Sequence, residues 1–162
     1  MYISKIESMK KHIIFLLFIG LNLYSQDKGI EIYTIKTINN SEKDCNNCFD
    51  ISKEILSGEP LLKTTDIDHF DWEKQQFILN DTGREKVRKL DIPMDGLPVV
   101  FVINDEPIYG FWLWHPLSSH VCDRVLTYPN WSFELEFGLP NDGFGSDPRY
   151  DARIKKYLNI KD

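Results

Sequence analysis

The sequence predicts an α+β fold, with a single mixed or antiparallel sheet of about five strands and short helices packed mainly on one face. Residues 97–103 form a valine-rich apolar run between turn-forming residues, which is typical of a strand covered on both faces. Asn104 and Asp105 tolerate a tight turn, and a second apolar stretch follows from Ile108. Together they predict a β-hairpin. Because strands and helices do not alternate strictly elsewhere, antiparallel pairing is favoured over a parallel sheet.

Ahead of the hairpin, the sequence predicts two strands and two short helices. Residues 30–35 alternate in polarity and indicate a first strand, and residues 75–80 indicate a second. Residues 49–56 have apolar spacing that is partly helical, which predicts a short helix between these strands. A further helix is predicted over residues 82–90, with Asn80 or the residue after it as its N-cap.

After the hairpin the chain is less regular until residue 131. Residues 131–137 then show the cleanest alternation in the chain, which predicts a half-buried strand. The residues expected on its inner face are Trp131, Phe133, Leu135 and Phe137. A last helix is predicted after Asp147, which can act as its N-cap, with Pro148 in the first helical position.

The first 25 residues have the layout of a secretory signal peptide. Lys10 and Lys11 precede about ten apolar residues and a polar end, and a membrane-spanning helix takes about 20. Met9 is an alternative start for the same signal. Cleavage of residues 1–25 would leave one globular domain, residues 26–162, without a membrane span. We therefore expect export to the periplasm or the extracellular space.

The domain left after cleavage is acidic. The whole chain has 19 basic and 25 acidic residues, and loss of Lys5, Lys10, Lys11 and Glu7 with the signal leaves 16 and 24. The resulting net charge near −8 repels phosphate backbones. Nucleic acid is therefore not an expected partner.

Cys45 and Cys48 form a CxxC motif at a predicted helix start. Thioredoxin-like oxidoreductases place their dithiol in such a position, because a helix N-terminus stabilises the thiolate. Against that role, a long polar segment separates the motif from the preceding strand. With Cys122 as a third cysteine, an oxidising compartment would close one pair and leave one thiol. A structural disulfide is the favoured interpretation, and redox catalysis by Cys45 and Cys48 is the alternative.

The same cysteines also bear on metal binding. Cys45, Cys48, His115, His120 and Cys122 are all side chains that zinc prefers. A single CxxC without a second matching pair is a weak zinc signal, so we expect no metal and no other cofactor, with zinc at these five residues as the alternative. No complete catalytic constellation appears elsewhere in the sequence.

Three patterns follow one another across residues 58–110. They are GEPLLKTTDI, the strand FILN with the helix DTGREKVRKL, and the valine-rich hairpin GLPVVFVINDEPIYG. In this order they resemble the periplasmic head of SecD-type protein-export subunits, and they are also similar to small exported bacterial proteins without a characterised function. The resemblance implies an α+β fold and an exported interaction domain without catalytic residues.

Trp112, Trp114 and Trp131 are candidate binding residues. Aromatic rings close to one another usually form a core, and alternatively they form an exposed docking patch for a protein or a glycan. The sequence thus favours an exported, non-catalytic binding or accessory domain of the SecD-head-like type, whose partner is an unidentified protein or small molecule. The alternative is a periplasmic thiol–disulfide oxidoreductase-like protein that uses the CxxC motif.

Overall fold

The computed structural model describes residues 29–36, 47–48, 50–137 and 147–161. The strands are β1 (Ile30–Thr34), β2 (Ile67–Asp71), β3 (Gln76–Leu79), β4 (Leu97–Ile103), β5 (Glu106–Leu113), β6 (Val125–Tyr128) and β7 (Ser132–Phe137). The helices are α1 (Asp81–Arg88) and α2 (Ala152–Tyr157), with single 3-10 turns at Thr64–Asp66 and Pro148–Tyr150. The signal peptide predicted for residues 1–25 lies outside the described residues. Neither α-helix in the described ranges has the length or apolar character needed to cross a membrane.

All seven strands belong to one mixed sheet, and the predicted fold class is therefore wrong. Their order is β1-β4-β5-β6-β7-β3-β2, and every neighbouring pair is antiparallel except β5 and β6. The sequence predicted about five strands with helices covering one face. Two strands were missed, β2 and β6, because their short segments show little alternation in the sequence. The two helices are too short to form a layer over a seven-stranded sheet.

The sheet curls until its two edges nearly meet, which gives it an almost barrel-like shape. At one edge, the Ile32 N–H donates to the Leu62 carbonyl at 2.9 Å, and the Ile32 carbonyl accepts from Leu61 N–H at 2.7 Å. The chain then passes through the 3-10 turn Thr64–Asp66 directly into β2, which is the other edge. The Thr64 hydroxyl donates to the Ile30 carbonyl at 3.1 Å, so this short segment ties both edges together. The right-handed twist of strands makes such closure natural.

The inside of the curled sheet is an aromatic core centred on Phe77. Its ring is 2% exposed and lies between 4.8 and 6.3 Å, centroid to centroid, from those of Phe70, Phe101, Phe111 and Phe133. These rings come from five different strands. Tilted and edge-to-face ring pairs add stabilisation beyond the area they bury. The core thus holds together strands that are far apart in the sequence.

The hairpin predicted from the valine-rich run is confirmed. β4 and β5 pair from Leu97↔Leu113 to Ile103↔Glu106, joined by Asn104 and Asp105. Those two residues have φ values of 51° and 66°, the left-handed conformation required by a two-residue turn whose twist matches the strands.

Helix α1 begins at Asp81, one residue before the predicted start, and its N-cap is Asn80, one of the two residues predicted for that role. The Asn80 side chain accepts a hydrogen bond of 3.0 Å from the Gly83 N–H, which satisfies a free donor of the first turn. Val87 is 2% exposed and anchors the inner face of the helix in the core. Lys86 reaches back to the buried Asp66 carboxylate at 2.5 Å. The helix is thereby fixed across the ends of β3 and β2.

The helix predicted over residues 49–56 is wrong. Residues 51–53 form a turn, in which the Asp50 carboxylate accepts from the Ser52 N–H at 3.0 Å and from its hydroxyl at 2.6 Å. Leu56 instead forms an isolated β-bridge with Ile35 beside β1. Aspartate caps turns as readily as helices, and a segment of this length has too little helical propensity to decide between them.

Candidate functional site

An open cleft of about 730 Å³ lies between α1 and the turn that joins β6 to β7. Its floor is formed by β3 and the start of β7. The residues that line it include Gln76, Ile78, Arg84, Arg88, Trp131 and Ser132. Its size is within the range of pockets that hold drug-sized ligands.

The cleft exists because β3 and β7 separate after a single residue pair. Gln76 pairs with Glu134, and the Leu135 N–H donates to the Gln75 carbonyl at 2.8 Å. Across residues 77–79 and 132–133, which the structure describes in full, no further β3–β7 pair forms. Instead, the side-chain amide of Gln76 extends across the gap between the strands, and its Nε2 donates to the Ser132 hydroxyl at 3.0 Å. One seam of the curled sheet is therefore left open.

Trp131 forms the outer rim of the cleft. It is 73% exposed, and its ring stacks on that of Tyr128 at 5.4 Å with an interplanar angle of 26°. The Trp131 N–H also donates to the Tyr128 carbonyl at 2.9 Å. The ring is thus held in place although it is open to solvent, which lowers the entropy lost when a partner contacts it.

The opposite wall is helix α1, which presents two arginines. Arg84 contacts Asp81 at 2.6 Å and also donates to the Leu79 carbonyl, the last of β3. Arg88 pairs with Glu85. Because each guanidinium has a carboxylate partner on the same helix, this wall carries both signs of charge with little net charge.

The three candidate tryptophans do not form one patch. Trp112 and Trp114 are 6% and 2% exposed and meet edge to face at 6.2 Å in a second core cluster with Cys122 and Leu126. Trp131 lies outside this cluster. The strand β7 begins at Ser132, one residue after the predicted start, so Trp131 lies in the turn before the strand. Its predicted place on the inner face of the strand is therefore wrong, although Phe133 and Leu135 are buried as expected. Of the three, Trp131 has the exposed surface that a ligand can contact.

The second half of the CxxC motif lies against this second cluster. The Trp112 indole N–H donates to the Asn47 carbonyl at 2.9 Å in a buried contact. The Arg124 guanidinium contacts the Sγ atom of Cys48. Cys45 lies outside the described residues, so the geometry of the predicted Cys45–Cys48 pair is not part of the described structure.

Cys122 is a buried free thiol. It is 2% exposed, and its Sγ lies 3.7 Å from the Arg124 carbonyl. Burial raises its pKa to about 12, which keeps it protonated at neutral pH. A protonated, inaccessible thiol is neither a nucleophile nor a metal ligand.

The alternative zinc site also included His115 and His120. The Nδ1 atom of the His115 ring accepts a hydrogen bond from the Leu117 N–H at 3.1 Å. His120 is exposed, and its backbone N–H donates to the Ser118 hydroxyl. Within the described ranges, no group of three histidine, cysteine or acidic side chains is placed to hold a metal ion. Cys45, the fifth residue of that proposal, is outside those ranges.

Sequence reasoning did not find the cleft, because its walls come from separate parts of the chain. The helix wall and the Trp131 rim are about 45 residues apart, and neither carries a motif. One signal in the sequence could have indicated that Trp131 is exposed. The alternating segment begins at residue 131, directly after the turn-forming residues Pro129 and Asn130, and a tryptophan next to a turn can project outward. Comparison with known proteins adds no assignment: no protein-family model, curated protein or solved structure matches this chain.

Proposed function

We propose that the protein is an exported, non-catalytic binding domain and that its partner binds in the cleft beneath Trp131. The observation that carries this proposal is a tryptophan that is 73% exposed and fixed by a stacked tyrosine at the rim of a 730 Å³ cleft. Tryptophan, tyrosine and arginine are the residues that most often dominate binding energy at interfaces. Trp131, Arg84 and Arg88 line this cleft, and Tyr128 stacks on Trp131.

The charged groups of the cleft suit recognition better than proton transfer. Asp81 is paired with Arg84, and Glu85 is shared between Arg88 and Lys89. The hydrogen bond from Lys89 lowers the pKa of Glu85, so this carboxylate stays ionised and is a poor general acid. Paired charges of this kind can still form hydrogen bonds with a ligand through their remaining donor and acceptor sites.

Export and the SecD-type resemblance stay predictions. The resembling stretch, residues 58–110, includes β3 and α1, which are the floor and one wall of the cleft. The proposed binding site therefore lies partly in the stretch that resembles an exported interaction domain. A partner in the periplasm or extracellular space is either a protein or a small molecule.

A Trp131→Ala variant tests the proposal. The mature wild-type protein would be screened against a random peptide library and a glycan array, beside Trp131→Ala and the control Leu117→Ala, which removes a 77% exposed leucine. Ligands of the cleft should be lost with Trp131→Ala and kept with Leu117→Ala. Two results would contradict the proposal: ligands that bind Trp131→Ala as tightly as wild type, or catalytic turnover of any bound molecule.

A thiol–disulfide function is the second candidate, and one contact favours it. The guanidinium of Arg124 lies against the Sγ of Cys48, and this cation would stabilise the thiolate that Cys48 forms when it is reduced. Against it, no helix starts within residues 50–56, so the helix N-terminus that supports such dithiols is missing in this described segment. If the protein is an oxidoreductase, the reduced protein should reduce insulin, and Arg124→Ala should raise the alkylation pKa of Cys48. An inactive protein whose Cys48 alkylates like a free cysteine would exclude this candidate.

A further inference from the structure

The exposed ring of Trp131 and the paired charges opposite it suit one class of ligand. We propose that the cleft binds a short, neutral oligosaccharide, with one glucose-type ring stacked on the Trp131 indole. This inference rests on the proposed binding function and names its ligand. The aromatic rim, the helix wall and the floor of the cleft each support it.

Trp131 provides a flat surface on which a sugar ring can lie. One face of the indole stacks on Tyr128 at 5.4 Å, and the ring is nevertheless 73% exposed, so its opposite face is open to a ligand. A glucose-type ring carries equatorial hydroxyls around its edge, and C–H bonds cover its two faces. Such a face packs on the negative face of an indole and removes apolar area from water. Because Tyr128 already holds the indole, little further ordering is needed.

The helix wall offers hydrogen-bonding groups without net charge. Four charged side chains of α1 line the cleft, two acidic and two basic, namely Asp81, Arg84, Glu85 and Arg88. Each guanidinium pairs with one of these carboxylates, and its remaining N–H groups can donate to neighbouring sugar hydroxyls. A phosphate or carboxylate ligand would need an unpaired cation, and the net charge of −6 on the whole chain repels it. The wall therefore favours a neutral ligand with many hydroxyls.

The floor adds two polar side chains that are already held in position. The Gln76 Nε2 donates to the Ser132 hydroxyl at 3.0 Å. Within the described residues, the Gln76 Oε1 has no hydrogen-bond partner, so it can accept from a sugar hydroxyl, and the Ser132 hydroxyl can donate its own proton. The bond between the two side chains lowers the entropy lost when a ligand orders them.

The backbone at the floor is engaged at both ends of β3, so side chains must select the ligand. At one end the Gln76↔Glu134 pair holds β3 to β7, and at the other Arg84 donates to the Leu79 carbonyl. Hydroxyls arranged around a ring suit recognition by side chains. The competing ligand is a peptide that packs its own side chains on Trp131, such as a proline-rich segment.

Binding of β-linked tetrasaccharides tests the inference. Cellotetraose and chitotetraose, built from glucose and N-acetylglucosamine, would be titrated into the mature wild-type protein by isothermal calorimetry. At least one should bind, with an affinity that changes less than about twofold between about 0.05 M and 0.5 M NaCl, because the ligand is neutral. Of the four tryptophans, Trp131 is the exposed one, so the sugar should also protect tryptophan fluorescence from quenching by acrylamide.

Four variants show which groups bind the sugar. Trp131→Ala should weaken binding at least about tenfold, and Trp131→Phe, which keeps an aromatic face, less than about fourfold. Gln76→Met keeps the length of the side chain but removes its amide, and should weaken binding about fivefold. Leu117→Ala changes an exposed leucine outside the cleft and should bind like wild type. Circular dichroism checks that each variant is folded.

Other outcomes separate the inference from the proposed function. Failure of both tetrasaccharides to bind, or binding that Trp131→Ala leaves unchanged, overturns the inference. If a random peptide library then gives Trp131-dependent ligands, the cleft is a binding site and the ligand class is wrong. If neither sugars nor peptides bind in a Trp131-dependent way, both the inference and the proposed function fail.

Discussion

The indole N–H of Trp112 donates a buried hydrogen bond of 2.9 Å to the backbone carbonyl of Asn47, 65 residues earlier in the chain. Trp112 lies in β5, in the interior of the sheet, and Asn47 lies next to Cys48 in the CxxC motif. The bond thus fixes one side of the motif on the second core cluster. Trp112, a candidate ligand-binding residue from the sequence, therefore has a structural role.

Trp112→Phe should destabilise the protein by about 1–3 kcal/mol, because it leaves the Asn47 carbonyl buried without its donor. Urea denaturation followed by circular dichroism measures this loss. Trp131→Phe is the matched control and should stay within about 0.5 kcal/mol of wild type, since it changes an exposed ring. An equal, small effect of the two substitutions would show that the Asn47 bond contributes no net stability.

Gly83→Ala should also destabilise the fold, although alanine normally favours a helix. A Cβ atom at position 83 would lie 2.3 Å from the Asp66 carbonyl oxygen, a backbone atom that cannot move freely. The clash should outweigh the gain in helix propensity and cost about 1–3 kcal/mol. Thr82→Ala, at the exposed neighbouring position, should be neutral or slightly stabilising in the same thermal unfolding measurement. A stabilised Gly83→Ala variant would mean that α1 does not contact the Asp66 backbone.

Cys122 should make stability fall at alkaline pH. Its pKa is 9.0 in an exposed setting and is raised to about 12 by burial, so between these values the unfolded chain releases a proton that the folded chain keeps. The free energy of unfolding should therefore drop by about 1 kcal/mol between pH 8 and pH 10 from this group alone. Urea denaturation of wild type and Cys122→Ala at both pH values isolates the effect. An identical pH dependence in both proteins would contradict the burial of this thiol.

Local structure was predictable where neighbouring residues decide it. The Asn104-Asp105 turn needs two left-handed residues, and asparagine and aspartate tolerate that conformation better than most residues. Helix α1 combines a capping asparagine with an apolar residue at the right spacing, Val87. In both cases the decisive contacts lie within a few positions of one another.

The closure of the sheet was not predictable from such patterns. It depends on contacts such as Thr64 to Ile30, 34 residues apart, and on the parallel pairing of β5 with the four-residue β6. A strand of four residues carries too little alternation to be recognised. The same holds for the site. Trp131 was a candidate from the sequence, but the residues of α1 and β3 that line the cleft with it are brought near it by the curling of the sheet, which the sequence pattern does not show.

The most direct test is amide hydrogen exchange at Leu79 in the free protein. Its N–H faces the open seam between β3 and β7, whereas the Phe101 N–H belongs to β4, which is paired with a strand on both sides. We expect Leu79 to exchange at least about tenfold faster than Phe101, measured by NMR under conditions where global unfolding is rare. Equal protection at the two sites would show that the seam is closed, and the binding function proposed for the cleft would fall with it.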